Sequence, residues 1–234
     1  MPQILFVLTS HGQLGKTREI TGFHLAEAAR PYWILKDQGF EIDFASPLGG
    51  HAPMDHVELE DADNSRFLEN TETRRKLEAT FSPEEIDPGH YDAIYFVGGH
   101  GTMWDFPDNQ VLQGLTARIW EQGGIVAAIC HGPAALVNVR LPDGRFLVEG
   151  KRVNCFTDEE ERAGKKDKIV PFLLESKLRE RGALICKSPP QQCHVEIDGR
   201  LITGQNPASA HALGEAIAEA LSRSGKHLYN LALR

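Results

Sequence analysis

Cys130 is the residue best placed for covalent chemistry. It ends the apolar run Ile125-Val126-Ala127-Ala128-Ile129 and is followed at once by His131-Gly132-Pro133, so a strand must turn abruptly into a helix at the thiol. This is the thiol counterpart of a nucleophile elbow, where a small residue two places before and a glycine two places after relieve crowding at a strained position. Ala128 and Gly132 fill those places. A cysteine at a helix start faces the positive end of the helix dipole, which predicts a thiolate. Cys155, Cys186 and Cys193 lie within or beside strand-like segments without such a turn, and are assigned to packing.

Two further segments could serve that sulfur. Ile20, Phe23, Glu27 and Ile34 fall 3, 4 and 7 residues apart, which puts Glu27 on an apolar helical stripe facing the sheet. Burial pushes such a carboxyl towards the neutral acid, able to donate a hydrogen bond to a thiolate and later to shuttle a proton. Pro31, four residues on, cannot donate to the Glu27 carbonyl, so the helix is expected to bend there. Phe96-Val97-Gly98-Gly99-His100-Gly101-Thr102 reads as a strand ending in a glycine turn, whose free amides, with that of His131, could hold an oxyanion. The run lacks both G-x-G-x-x-G spacing and a following Gly-Lys-Ser/Thr, which argues against a dinucleotide site or a P-loop. His51, Asp55 and His56 match no ligand spacing, so neither metal nor other cofactor is expected. The acidic run 58–63 reads as a solvated face, and His11 and Trp104 are candidates for the pocket rim.

These residues need a scaffold. Ile4 to Leu8, Ala93 to Val97 and Ile125 to Ile129 are nearly continuous apolar runs, the mark of parallel strands covered on both faces; Glu41 to Ala45 joins them. Helices are expected over 19–38, closed by Gly39, over 108–122, closed by Gly123-Gly124, and over 172–181. Further strands are expected over 152–155 and 183–186, and hairpins at Pro142-Asp143-Gly144 and Asp198-Gly199. A last helix begins at Asn206-Pro207 and runs to about 223. The alternation implies a three-layer α/β/α sandwich with a mainly parallel sheet, in a single domain over 1–234. Residues 46–90 are too long for a simple connection and carry helical pieces at 64–68 and 71–80, so they are expected to form a lid.

Composition narrows the partners. The 234 residues are 41% hydrophobic and 25% charged, ordinary for a globular protein. A net charge of −8 gives no electrostatic support for nucleic acid or an anionic membrane, and no apolar stretch approaches the ~18 residues of a membrane span. Met1-Pro2-Gln3 lacks the basic region of a signal peptide, and the cysteines form no C-x-x-C pair. Reduced thiols in the cytoplasm are therefore expected.

The residues carry a resemblance. Ala128-Ile129-Cys130-His131-Gly132-Pro133-Ala134, Gly98-Gly99-His100-Gly101-Thr102, Glu27, Phe156-Thr157-Asp158 and Gly204-Gln205-Asn206-Pro207-Ala208-Ser209-Ala210 resemble the ThiJ/PfpI superfamily. The match is strongest to its heat-shock chaperone and glutathione-independent glyoxalase (glyoxalase III) branch. The resemblance implies a flavodoxin-like sandwich, as in class I glutamine amidotransferases, commonly as a homodimer. It implies Cys130 as nucleophile, His131 as triad histidine, Glu27 as the acid beside the thiol and Gly99 as an oxyanion donor. The third triad member falls among Asp158, Glu159, Glu160 and Glu161, and by position on Glu161. The implied reaction converts methylglyoxal and related small dicarbonyls to 2-hydroxy acids such as lactate through a cysteine hemithioacetal. The same superfamily includes holdase chaperones that bind unfolded clients, deglycases and cysteine hydrolases. A glutamine amidotransferase would instead pair Cys130 with His194 and Glu196, but that tripeptide leads straight into the Asp198-Gly199 hairpin.

Overall fold

The structure, a computed structural model, describes residues 2–232. The chain opens with β1 (Gln3–Val7), makes a long excursion to β2 (Phe23–His24), and continues directly into α1 (Leu25–Lys36) and β3 (Glu41–Ala45). Residues 46–90 hold β4 (Met54–Asp55), α2 (Ala62–Glu69) and α3 (Thr71–Glu78), whose first amides are capped by the Asp61 and Asn70 side chains. Next come β5 (Ala93–Phe96), α4 (Thr102–Asp105), α5 (Gln110–Glu121) and β6 (Ile125–Ile129). The remainder adds β7 (Arg152–Val153), α6 (Asp158–Ala163), α7 (Leu174–Glu180), β8 (Leu184–Ile185), β9 (Val195–Asp198), β10 (Leu201–Gly204) and α8 (Ala210–Ala232).

The main sheet has the order β3-β1-β5-β6-β10-β9, parallel throughout except for β9, which pairs antiparallel with β10 across the expected Asp198-Gly199 turn. Its five parallel strands follow the doubly wound flavodoxin-like order. Period-two alternation decides what each face touches. Ile4, Phe6 and Leu8 pack with residues of α1 and α8, while Leu5 and Val7 pack with those of α5 and α7. Register aligns Val7 with Phe96, Phe96 with Ala128, and Ile129 with Gly204. The carboxyl ends of four strands thus share one edge, where open α/β sheets bind ligands.

Local differences from the sequence reading have physical reasons. Helix α1 starts at Leu25, not near Glu19, because Gly22 lies against the 46–90 stretch: a Cβ there would stand 2.1 Å from the Pro53 carbonyl oxygen. That approach leaves the chain extended, and β2 pairs with β4 instead. Ile20 is consequently 80% exposed rather than part of a buried stripe. The Pro142-Asp143-Gly144 turn closes only a single bridge, between Arg140 and Phe146, and the strands expected over 152–155 and 183–186 shrink to the separate two-residue pair β7 and β8. Phe67 and Leu77, from the two helices of the 46–90 stretch, join the core cluster containing α1. Among the described residues, no helix is long and apolar enough to cross a membrane.

Candidate active site

Cys130 leaves β6 with a φ of 58°, a left-handed backbone unusual for a residue with a side chain. The turn is clamped on both sides: the Cys130 amide donates to Gly204 O (2.8 Å) and the Phe156 amide donates to Cys130 O (2.8 Å). Gly132 is required here, since a Cβ would come within 2.3 Å of the Phe96 carbonyl oxygen. Behind the elbow the chain makes only a short 3-10 turn, Gly132–Leu136, so no long helix dipole addresses the sulfur. Cys130 is 4% exposed, and burial together with the Glu27 carboxyl pushes its thiol well above the usual range. Burial thus opposes the expected resting thiolate and favours a thiol, which ionises only with a basic neighbour.

That neighbour is at hand. His131 Nδ1 stands 3.4 Å from Cys130 Sγ, and its Nε2 lies 2.6 Å from Glu161 Oε2. Burial pushes the Glu161 carboxyl up, but hydrogen bonds from His100 and His131 outweigh it and hold the group well below the ordinary carboxylate range. An ionised Glu161 only accepts, so Nε2 of His131 carries the proton and Nδ1 presents its lone pair to the thiol. His100, absent from the sequence-level site, donates from Nε2 to Glu161 Oε1 (2.9 Å) and packs its ring 4.0 Å from that of His131. Burial and the adjacent His131 push its pKa down to about 4.

Glu161 owes its aim to its neighbour. Thr157 and Glu160 form a capping box at the start of α6, and Glu160 also accepts from Asn206 Nδ2 (2.8 Å) and the Gln191 amide (2.8 Å). With Glu160 so engaged, the next residue round the helix turns to His131, which separates Glu161 from the other acids of the run.

Glu27 is fully buried on α1. A Cβ at Gly98 would stand 2.3 Å from Glu27 Oε2 and 2.7 Å from Cys130 Cβ, so only glycine at this position leaves room for both side chains. The thiol and the Gly98 backbone face the carboxyl and draw its pKa down, although neither oxygen forms a geometrically complete hydrogen bond. Burial prevails and pushes Glu27 up to about 8, so it holds its proton at neutral pH. Pro31 does leave the Glu27 carbonyl without a helical donor, and the Tyr95 hydroxyl fills that place at 2.7 Å. Tyr95→Phe strands this buried carbonyl and is expected to cost about 1–3 kcal/mol in denaturant unfolding. An unchanged unfolding midpoint would show that the carbonyl needs no donor.

A pocket of about 510 Å³ opens onto Cys130, His131 and Glu161, and is also lined by Gly99, Phe156 and Lys166. Gly99, at a φ of 111°, has no room for a side chain: a Cβ would come within 2.2 Å of Gly22 O. Other sequence-level candidates lie elsewhere. His11 stacks on Trp104 at 5.1 Å beside a separate cavity with Leu48 and Asp105. His51 faces Glu78 at 3.2 Å, while His56 stacks on His24, so the trio with Asp55 does not converge. Among the described residues, the side chains spaced to hold a metal ion are His100, His131 and Glu161, their donor atoms all within 4.8 Å of one another. His194 bonds Ser188 Oγ through Nδ1 (2.7 Å) and faces Glu196 Oε2 through Nε2 (3.4 Å), so neither ring nitrogen is turned to Cys130. Cys155 is buried as expected, but Cys186 is only half-buried and Cys193 is exposed.

A doubly wound sandwich with a cysteine on a left-handed elbow, beside a histidine and two buried acids, places the chain in a class defined by that fold and that cluster. Residues 19–220 match the DJ-1/PfpI family, and the chain belongs to it. It is 32% identical to the glutathione-independent glyoxalase HSP31 of Saccharomyces cerevisiae, over 94% of this chain and 98% of that protein. The crystal structure of glyoxalase III from Candida albicans superposes with a TM-score of 0.84 at 29% identity, covering 94% of this chain and 97% of the other. The Francisella tularensis Rapid Encystment Protein 24 kDa superposes with a TM-score of 0.92 at 38% identity, covering 94% and 99%.

Proposed function

We propose that this chain is a glutathione-independent glyoxalase that converts methylglyoxal and related 2-oxoaldehydes to 2-hydroxy acids, with Cys130 as nucleophile. His131 Nδ1 takes the thiol proton as the sulfur adds to the aldehyde carbon C1, and Glu161 stabilises the imidazolium. The proton passes to O1, giving a hemithioacetal, while the Gly99 and His131 amides support the oxygen as charge develops. His131, neutral again, removes the C1 proton; Glu27, already protonated, donates to the ketone oxygen O2, giving an enediol. Return of a proton to C2 and loss of the O1 proton to Glu27 leave a thioester, which water hydrolyses to release the hydroxy acid and the free thiol. Carbon C1 is oxidised and C2 reduced within one molecule, so no external redox partner is needed.

The observation that carries this reading is the fully buried Glu27 carboxyl packed beside Cys130 across Gly98, an environment that favours the protonated acid. Simple thioester hydrolysis or amidotransfer has no use for it, whereas an enediol needs an acid near the second oxygen. The test is lactate formation from methylglyoxal without glutathione, followed in the wild type and in Glu161→Gln. The amide is uncharged and cannot stabilise the imidazolium, so kcat/KM is expected to fall about 10²- to 10⁴-fold. No lactate from the wild type would end the reading, and full activity in Glu161→Gln would remove Glu161 from it. A second reading, a holdase for unfolded clients, is favoured by exposed Leu48 (82%), Ile20 (80%) and Leu59 (58%). It needs no thiol.

A further inference from the structure

We propose that His24 forms a second-carbonyl subsite: its Nε2–H donates a hydrogen bond to the ketone oxygen of the bound 2-oxoaldehyde and strengthens it as that oxygen gains charge in the enediolate. This inference rests on the glyoxalase reading and deepens it.

The chemistry requires such a donor. The Gly99 and His131 amides serve O1, and while C1 loses its proton the negative charge moves onto O2. Glu27 delivers the proton there, but a fixed dipole is still needed to hold O2 in the plane of the forming double bond. Most polar side chains of the pocket are already committed. His131 bonds Cys130 and Glu161 through its two ring nitrogens, and His100 gives Nε2 to Glu161. Asn206 gives its amide to Glu160 and to Gln192 O, and Glu160 is taken up by its cap.

His24 is not so committed, and its surroundings fix both its place and its tautomer. Its backbone amide donates to Gly98 O (3.0 Å), which ties the residue to the glycine turn beside Cys130, and its ring lines the same pocket. His56, from the 46–90 stretch, stacks on that ring at 4.5 Å and 12° from parallel, and so fixes its plane. Nδ1 of His24 is buried with no hydrogen-bond partner. A neutral imidazole carries one proton; on Nδ1 it would be a sealed, unpaired N–H, whereas a bare lone pair there is the lesser loss. The proton therefore sits on Nε2, the nitrogen left to the cavity. Burial and the neighbouring His56 push the pKa of His24 down to about 3, so the ring is a neutral donor across the working range. A neutral imidazole held this way polarises a carbonyl without surrendering a proton.

The test compares His24→Phe, which keeps a ring for His56 to stack on but removes the donor, with His24→Asn, which keeps a short N–H donor. His24→Phe is expected to lower kcat/KM for methylglyoxal about 10²-fold, with His24→Asn recovering part of the loss. Deuterium at C1 of the substrate should slow His24→Phe more than it slows the wild type, because proton transfer becomes more limiting. Reversible addition of the Cys130 thiol to a simple monoaldehyde, which has no second carbonyl, should be equal in all three proteins. Wild-type kcat/KM in His24→Phe, or an equal loss of monoaldehyde addition, overturns the subsite. So does a dependence on Lys166 instead, seen as the same isotope signature in Lys166→Gln alone. Wild-type protein that makes no lactate overturns the underlying reading, a result visible in the same assay.

Discussion

Cys130→Ala is expected to lower lactate formation by about 10³-fold or more while leaving the fold intact. The methyl group fits wherever the thiol sat, and the elbow is held by backbone bonds from Cys130 to Gly204 and from Phe156 to Cys130 that the substitution keeps. His131, Glu161 and Glu27 without a sulfur have nothing to attach the aldehyde to, so no thioester forms. Cys130→Ser should not restore the rate, because a hydroxyl is a far weaker acid and a poorer nucleophile than a thiol, and its ester is not the thioester the reaction passes through. Activity must be the readout rather than thiol labelling, since exposed Cys193 and half-buried Cys186 will react with reagents before the nearly sealed Cys130. Retention of more than about a tenth of the wild-type rate, in material free of wild-type enzyme, would refute a covalent mechanism. Aggregation suppression that survives in the same variant separates holdase action from catalysis.

The elbow was legible in the sequence because sterics restrict what can surround it. Gly132 cannot be anything larger beside the Phe96 carbonyl, and a continuous apolar strand must precede it. The centre of the sheet was legible for a different reason: β1, β5 and β6 are covered on both faces and so are nearly all apolar, whereas the outer strands β3 and β9 keep polar positions. Glu27 does lie on the helix that the sequence pattern implies, but no apolar stripe from Ile20 to Ile34 places it there, since Ile20 precedes the helix and is exposed. Glu161 came from family resemblance alone. Four consecutive acids cannot be told apart until the helix start is known, although Thr157 and Glu160 already spelled a capping box that would have freed Glu161. His24 and His56 meet only because β2 pairs with β4 across 30 residues of chain, and His56 does so with a φ of 53° that nothing local announces. A helix dipole favours a thiolate at Cys130, whereas burial favours the thiol. The two effects oppose each other, and with only a short 3-10 turn behind the cysteine, burial wins.

Glu27→Gln should separate stability from function. An unfolded glutamate ionises near 4.5, whereas folded Glu27 keeps its proton up to about 8. Between those values the unfolded chain binds fewer protons than the folded one, so this group makes the fold less stable as pH rises from about 4.5 to 8, and adds no further change above. At roughly 1.4 kcal/mol per pH unit the full effect is about 5 kcal/mol, an upper figure for so closed a site. Glutamine has nearly the same shape and no proton to lose. Relative to wild type, the variant should therefore gain stability steadily from pH 5 to pH 8, by several kcal/mol and up to about 10 °C in Tm, whatever fixed offset its buried amide introduces. Its glyoxalase activity should meanwhile fall about 10²- to 10³-fold, since an amide can donate a hydrogen bond but cannot deliver a proton to O2 and take one back from O1. Parallel unfolding curves for the two proteins across that pH range would show that Glu27 is ionised in the fold. The acid beside the sulfur would then be a carboxylate, and proton delivery to the second oxygen would have to come from elsewhere. If instead stability rises while activity falls, the buried acid is a strain that the fold carries for the sake of the reaction.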